Sequence, residues 1–136
     1  MAKSYRQVSA GGTIFWVNDE DELHREDGPA LESSDGSRSW YINGVYRRED
    51  GPAIEMSSGK KMWYINGKLH RLDGPAIIHS DSMKEWYQNN ELHRLGGPAI
   101  EYPDGHGSWL VSGTRVDSRA RVDFATIINH IREKLR

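Results

Sequence analysis

The sequence has no cysteine, which excludes disulfides, thiolate zinc sites and cysteine nucleophiles. No apolar run approaches the length of a membrane span, and the opening "MAKSYRQVSAGG" lacks the apolar core of a signal peptide. No charge sign dominates. Charged residues make up 28% of the chain, but the net charge is only −2, without the basic excess of a typical nucleic-acid binder. These absences fit a cytoplasmic protein with a mixed-sign surface. A length of 136 residues fits one domain with a modest core.

What the sequence does have is self-similarity, which outranks every local signal. "LHREDGPA" at 23–30 returns as "LHRLDGPA" at 69–76 and "LHRLGGPA" at 92–99. Gly-Pro-Ala starts at Gly28, Gly51, Gly74 and Gly97, always 23 residues apart. Trp40, Trp63, Trp86 and Trp109 keep that spacing, and Trp16 stands 24 before Trp40. The extra residue falls in the acidic turn Asp19, Glu20, Asp21 and Glu22. A catalytic motif is needed once, so a phrase repeated at fixed spacing belongs to architecture or to a surface that architecture repeats.

Two turn signals punctuate each unit. Asn43-Gly44 and Asn66-Gly67 are hairpin turns whose two central residues need positive φ, and Asn89-Asn90 is a weaker copy. The second turn reads "SSDGS", "MSSGK", "HSDSM" and "YPDGH", the last of which suits a type I turn closed by a left-handed glycine. Two turns per unit leave strands of about five residues. The expected fold is an all-β repeat array, an antiparallel hairpin meander of about four and a half 23-residue repeats, with a C-terminal α-helix. Residues 1–12 read as a lead, 13–116 as the repeat domain and 117–136 as an amphipathic helix.

Pairing across the turns sets Ile65 against Lys68, Tyr64 against Leu69, Ile54 against Met62 and Glu55 against Lys61. Alternation then puts Ile54, Met62, Tyr64 and Leu69 on the expected core face. Ala53, Trp63 and His70 share the other face, a tryptophan ladder beside alanines. Arg25–Asp27, Arg48–Asp50 and Arg71–Asp73 are close enough to clip the "DGPA" corner. There glycine is expected for an unusual φ, and proline where the ladder breaks. Gly96 occupies the aspartate column of the last corner, which leaves Arg94 without its expected partner.

The wording "WYINGKLHRLDGPAI" resembles the WYxNGxxHRxDGPA repeats of uncharacterised tailed-phage and giant-virus proteins, and the paired turns resemble MORN-type β-hairpin repeats. The resemblance covers roughly residues 15–113. It implies an architecture but no shared activity, and the His-Arg corner departs from ordinary MORN repeats, so lipid binding does not transfer.

The tail holds five basic and three acidic groups, making it +2 and the remainder −4. Phe124, Ile127, Ile128, Ile131 and Leu135 share one helical stripe. This stripe either packs on the sheet or mediates a homodimer or partner contact. His24, His70 and His93 share a column that Arg47 interrupts. No carboxylate completes a metal set, and stacking on tryptophan accounts for them better. No nucleophile turn or phosphate loop is present.

The expectation is therefore a non-enzymatic protein-binding module without metal or cofactor. The viral-type repeat adds the expectation of a phage or viral protein that binds and inhibits a host defence protein. Residues that break the repeat are the candidate partner contacts: Asp19, Glu20, Asp21, Glu22, Arg94, Arg121, Arg132 and Arg136. The alternative is a single-stranded nucleic-acid or glycan binder that stacks its ligand on Trp16, Trp40, Trp63, Trp86 and Trp109.

Overall fold

A computed structural model describes residues 3–116 and 132–135. In chain order the strands are β1 (Tyr5–Val8), β2 (Ile14–Val17), β3 (Leu31–Glu32), β4 (Arg38–Ser39), β5 (Tyr41–Ile42), β6 (Val45–Tyr46), β7 (Ile54–Glu55), β8 (Lys61–Met62) and β9 (Tyr64–Ile65). They continue as β10 (Lys68–Leu69), β11 (Ile77–Ile78), β12 (Lys84–Glu85), β13 (Tyr87–Gln88), β14 (Glu91–Leu92), β15 (Ile100–Glu101), β16 (Gly107–Val111) and β17 (Thr114–Val116). Residues 132–134 are helical, and Arg132 and Leu135 are exposed. The stripe residues Phe124, Ile127, Ile128 and Ile131, with Arg121 and Arg136, lie outside the described residues. No helix among the described residues is long and apolar enough to cross a membrane.

The expected antiparallel meander is present, with the pairings Ile54–Met62, Glu55–Lys61, Tyr64–Leu69 and Ile65–Lys68. It is divided, however, between one broad sheet and a row of hairpins. The broad sheet has eleven strands in the order β1-β2-β3-β4-β7-β8-β11-β12-β15-β16-β17. The pairs β5–β6, β9–β10 and β13–β14 stand apart as two-stranded sheets. Each unit therefore gives one hairpin to the sheet and one to the row. The chain passes between them at its tryptophan, which interrupts the ladder at Trp40, Trp63 and Trp86. This break shortens the expected five-residue strands to two.

Both turn families adopt the conformations their residues favour. Asn43-Gly44, Asn66-Gly67, Asn89-Asn90 and Ser112-Gly113 all have positive φ at both positions, as a type I′ turn requires. Gly36, Gly59 and Gly105 close the second family in the left-handed region, and Ser82 takes the same place at φ 72°. The loop at Gly12 belongs to this family: Ser9 N–H donates to Thr13 C=O (2.9 Å) and Gly12 N–H to Ser9 C=O (3.0 Å), as Ser33–Ser37 and Gly36–Ser33 do. Residues 5–8 thus form a strand paired with β2 along Tyr5–Val17 to Val8–Ile14, within the stretch read as a lead.

Burial is deepest at the alanines of the other face, whose tryptophans and His70 are half-buried like most of the expected core residues. Ala30, Ala53, Ala76 and Ala99 are wholly buried, and His24 is the largest wholly buried side chain. Of the expected core residues and their copies, Ile77 is buried, while Ile54, Met62, Tyr64 and Leu69 are only half-buried. The cause is the break at tryptophan: the backbone N–H of the first four tryptophans donates to the alanine carbonyl of the same unit's corner, across the intervening hairpin. Those bonds are 2.8 Å at Trp16–Ala30, Trp40–Ala53, Trp63–Ala76 and Trp86–Ala99.

Candidate functional site

Each corner is built around an arginine laid flat on its tryptophan. The guanidinium carbon of Arg25 lies 3.8 Å from the Trp16 ring centre, Arg48 3.7 Å from Trp40, Arg71 4.0 Å from Trp63 and Arg94 3.9 Å from Trp86. Such contacts are worth about 0.5–2 kcal/mol, depending on desolvation. The same arginines donate to the proline carbonyl four residues on, at 3.2, 3.0, 3.1 and 3.2 Å. All five tryptophans are half-buried and four carry an arginine cap, so these four are capped rings rather than an open stacking platform.

This seating explains the corner glycine differently from the expectation. Gly28, Gly51, Gly74 and Gly97 are not in the left-handed region. A Cβ added at each would lie 2.8, 3.0, 2.8 and 2.8 Å from the arginine Cζ. Glycine is needed because the guanidinium rests on its Cα.

The expected clips form, with Nε–Oδ1 distances of 3.0 Å for Arg25–Asp27 and 3.1 Å for Arg48–Asp50 and Arg71–Asp73. They are asymmetric: the Arg71 side chain is 24% exposed and that of Asp73 88%. The cations lie inward against the rings and the carboxylates face water. Exposed pairs of this kind contribute little stability. Arg94 corrects the sequence reading. It lacks the clip at position 96 but donates to Glu101 Oε1 at 3.0 Å, as Arg48 does to Glu55 Oε1 at 2.9 Å beside its own clip, and it keeps its seat on Trp86.

The histidine column also has a role that stacking did not suggest. His24 Nδ1 accepts the Asn43 N–H of the next hairpin turn (2.9 Å), His70 that of Asn89 (3.0 Å) and His93 that of Ser112 (2.9 Å). Beside each, a second turn N–H donates to the preceding leucine carbonyl: Gly44 to Leu23, Asn90 to Leu69 and Gly113 to Leu92. A third bond runs from Arg25 N–H to Tyr41 C=O, with copies from Arg71 to Tyr87 and from Arg94 to Leu110. Three of the joints between neighbouring hairpins are thus sealed by three hydrogen bonds each. The histidines lie 19 residues from their partners, and one sequence gives no local signal for such a pairing.

The joint between β5–β6 and β9–β10 differs. Arg47 stands in the histidine column, and among the described residues neither Asn66 nor Gly67 N–H has the corresponding acceptor. Tyrosines fill the joint instead. Tyr46 stacks on Tyr64 at 4.7 Å and tilts against Tyr41 at 4.4 Å. Burial, then the Tyr46 hydroxyl, pushes the Tyr41 phenol well above the usual range, and burial raises that of Tyr64.

A cleft of about 800 Å³ opens at this joint, with Trp63, Tyr64 and Pro52 in its walls beside Ile65 and Leu72. Ile65 is 49% exposed and Leu72 76% exposed. Asp50 and Asp73, both 88% exposed, also line it. Clefts recur at sealed joints: one over Trp40, of about 690 Å³, sets Arg25, Arg47 and Arg48 against Glu26, Asp27, Glu49 and Asp50, and one over Trp86, of about 540 Å³, also borders Leu72.

The acidic turn proves organised. The buried Asn18 carboxamide oxygen accepts the N–H of Glu20 (2.9 Å) and Glu22 (3.0 Å), and its nitrogen donates to Glu22 Oε1 (3.0 Å) and Asn43 Oδ1 (3.1 Å). Tyr5 donates to Asp19 at 2.8 Å, which raises the Tyr5 phenol. Glu20 and Asp21 are exposed, and Asp21 is left-handed at φ 61°. Arg94 and the acidic turn are not brought together: they belong to the fourth and first hairpin–corner units. Among the described residues no group of three or more metal-ligating side chains could hold a metal ion. In comparisons with known proteins, no family model and no curated protein matches this chain.

Proposed function

We propose that the chain is a non-enzymatic protein-binding repeat module that engages its partner on the corner face. The observation that carries this reading is the cleft at the Arg47 joint, where Leu72 and Ile65 are held exposed. Large apolar side chains grouped at a surface cleft mark interaction sites. Their rim, Asp50 and Asp73, is polar and solvent-facing, in the manner of a protein interface. Outward carboxylates repel phosphates, which weighs against nucleic acid. Arginine caps on the tryptophans weigh against sugar or base stacking. The viral-type wording of the repeat makes a host protein, such as a defence component, the partner class to test first.

The test places a photocrosslinking residue at position 72, and separately at position 34 on an exposed turn of the broad sheet, and exposes each full chain to nuclease-treated host lysate. The reading expects a discrete protein crosslinked from position 72 and not from 34. Equal crosslinking from both positions, or a bound species that nuclease removes, would overturn it.

A further inference from the structure

The geometry points to the partner segment that the corner face takes: an extended chain carrying a cation and, three residues away, an apolar side chain. This rests on the corner-face reading above and adds the ligand's chemistry and period.

The period follows from the sheet. Each repeat adds two strands to the broad sheet, and neighbouring strands lie about 4.7–4.9 Å apart, so successive corners repeat at about 9.5 Å. A polyproline II chain completes its three-residue turn in about 9.3 Å. Its side chains i and i+3 therefore match adjacent clefts, whereas spacings of two or four residues miss by about 3 Å.

The chemistry follows from the difference between the two clefts. The one over Trp40 is surrounded by Glu26, Asp27, Glu49 and Asp50. Arg25, Arg48 and Arg47 pair with Asp27, Asp50 and Glu49, so the lining carries one carboxylate in excess, Glu26. Asp27 and Asp50 are 86% and 88% exposed against 22% and 20% for Arg25 and Arg48, so the field presented outward favours a cation. The cleft over Trp63 offers Tyr64, Ile65, Leu72 and Pro52, a seat for an aliphatic or aromatic anchor. Asp50 borders both clefts and sets the cation beside the anchor. A prearranged polyproline II segment loses little conformational entropy on docking.

The test titrates the labelled full chain with capped eight-residue peptides that carry one lysine and one leucine on a proline background. The spacing is i, i+3 in both chain directions, with i, i+2 and i, i+4 controls. The inference expects one i, i+3 peptide to shift the indole N–H signals of Trp40 and Trp63 and to bind at least about fivefold tighter than either control. Asp50→Asn and Leu72→Ser alter exposed side chains, leave the fold intact, and should each weaken that peptide several-fold. Binding that ignores spacing, that survives both substitutions, or that is not detected for any peptide would overturn the inference. The position-72 crosslink is read independently: its persistence alongside failed peptides would reject this ligand and leave the protein-binding reading standing.

Discussion

Two joints in the hairpin row show what one residue in a repeat column decides. Between the first and second hairpins, His24 accepts the Asn43 N–H, Leu23 C=O accepts that of Gly44, and the turns lock together. Between the second and third, the column holds Arg47, which reaches outward to Glu49. The two bonds beside it are missing too, and tyrosine rings take up the contact. The backbone turns on either side are alike, Asn43-Gly44 and Asn66-Gly67, with nearly the same φ values. The difference therefore lies in the acceptor and not in the hairpin. A repeat can keep its turns and corners while one joint gives up its seal; clefts lie at the sealed joints too, and the one at this joint is set apart by the exposed Ile65 beside Leu72.

The largest effect should come from breaking a sealed joint. His24→Ala removes a wholly buried ring and leaves the Asn43 N–H without its acceptor. The cost should be about 2–4 kcal/mol, seen as a lower urea midpoint, against about 0.5 kcal/mol or less for Arg47→Ala. Next is the corner. Gly74→Ala places a methyl where the Arg71 guanidinium lies. It should cost about 1–3 kcal/mol and shift Trp63 fluorescence as the cation leaves the ring. Arg47→His sharpens the comparison in the other direction. It offers Asn66 N–H an acceptor and should stabilise by about 0.5–1.5 kcal/mol, raising the urea midpoint.

Two smaller effects are pH-dependent. The Tyr41 and Tyr64 phenols are raised by burial, so the folded state holds protons that the unfolded chain releases. Stability should be constant below the ordinary phenol range near 10 and fall as pH rises through and above it. Absorbance of tyrosinate should correspondingly appear late for this cluster, and Tyr46→Phe should bring the Tyr41 transition down. The least effect belongs to the exposed pair of His106 and Asp104, whose Nδ1–Oδ2 distance is 2.8 Å. The carboxylate raises the imidazole and the imidazole lowers the carboxyl. His106 should titrate above its ordinary range by NMR, and Asp104→Asn should return it.

The sequence disclosed whatever local chemistry decides. Asn-Gly and Asp-Gly set the turns, and period two set the pairings from Ile54–Met62 to Ile65–Lys68. It did not disclose the folding over at tryptophan, because the bond that fixes it joins Trp40 to Ala53 across a whole hairpin. With that fold-over hidden, the alanine and histidine columns read as a ladder face beside the core, although Ala30, Ala53, Ala76, Ala99, His24 and His93 are among the most buried side chains. Gly28 and its copies read as turn glycines because the arginine that excludes a Cβ is a tertiary contact. Arg94 read as unpaired because Glu101, the copy of the Glu55 that Arg48 also meets, lies on the following strand. The candidate site was legible only in part. The break in the histidine column at Arg47 was visible, but its consequence, an unsealed joint beside Leu72, needs the hairpins side by side.

The difference between the joints is tested most directly by native-state hydrogen exchange of the second turn N–H in each hairpin. Gly44, Asn90 and Gly113 donate to the preceding leucine carbonyl, and Gly67 has no corresponding bond. The account expects Gly67 to exchange at least about tenfold faster than the other three, the equivalent of about 1.4 kcal/mol of local protection. Equal protection at all four turns would contradict it, since the Arg47 joint would then be as closed as the rest.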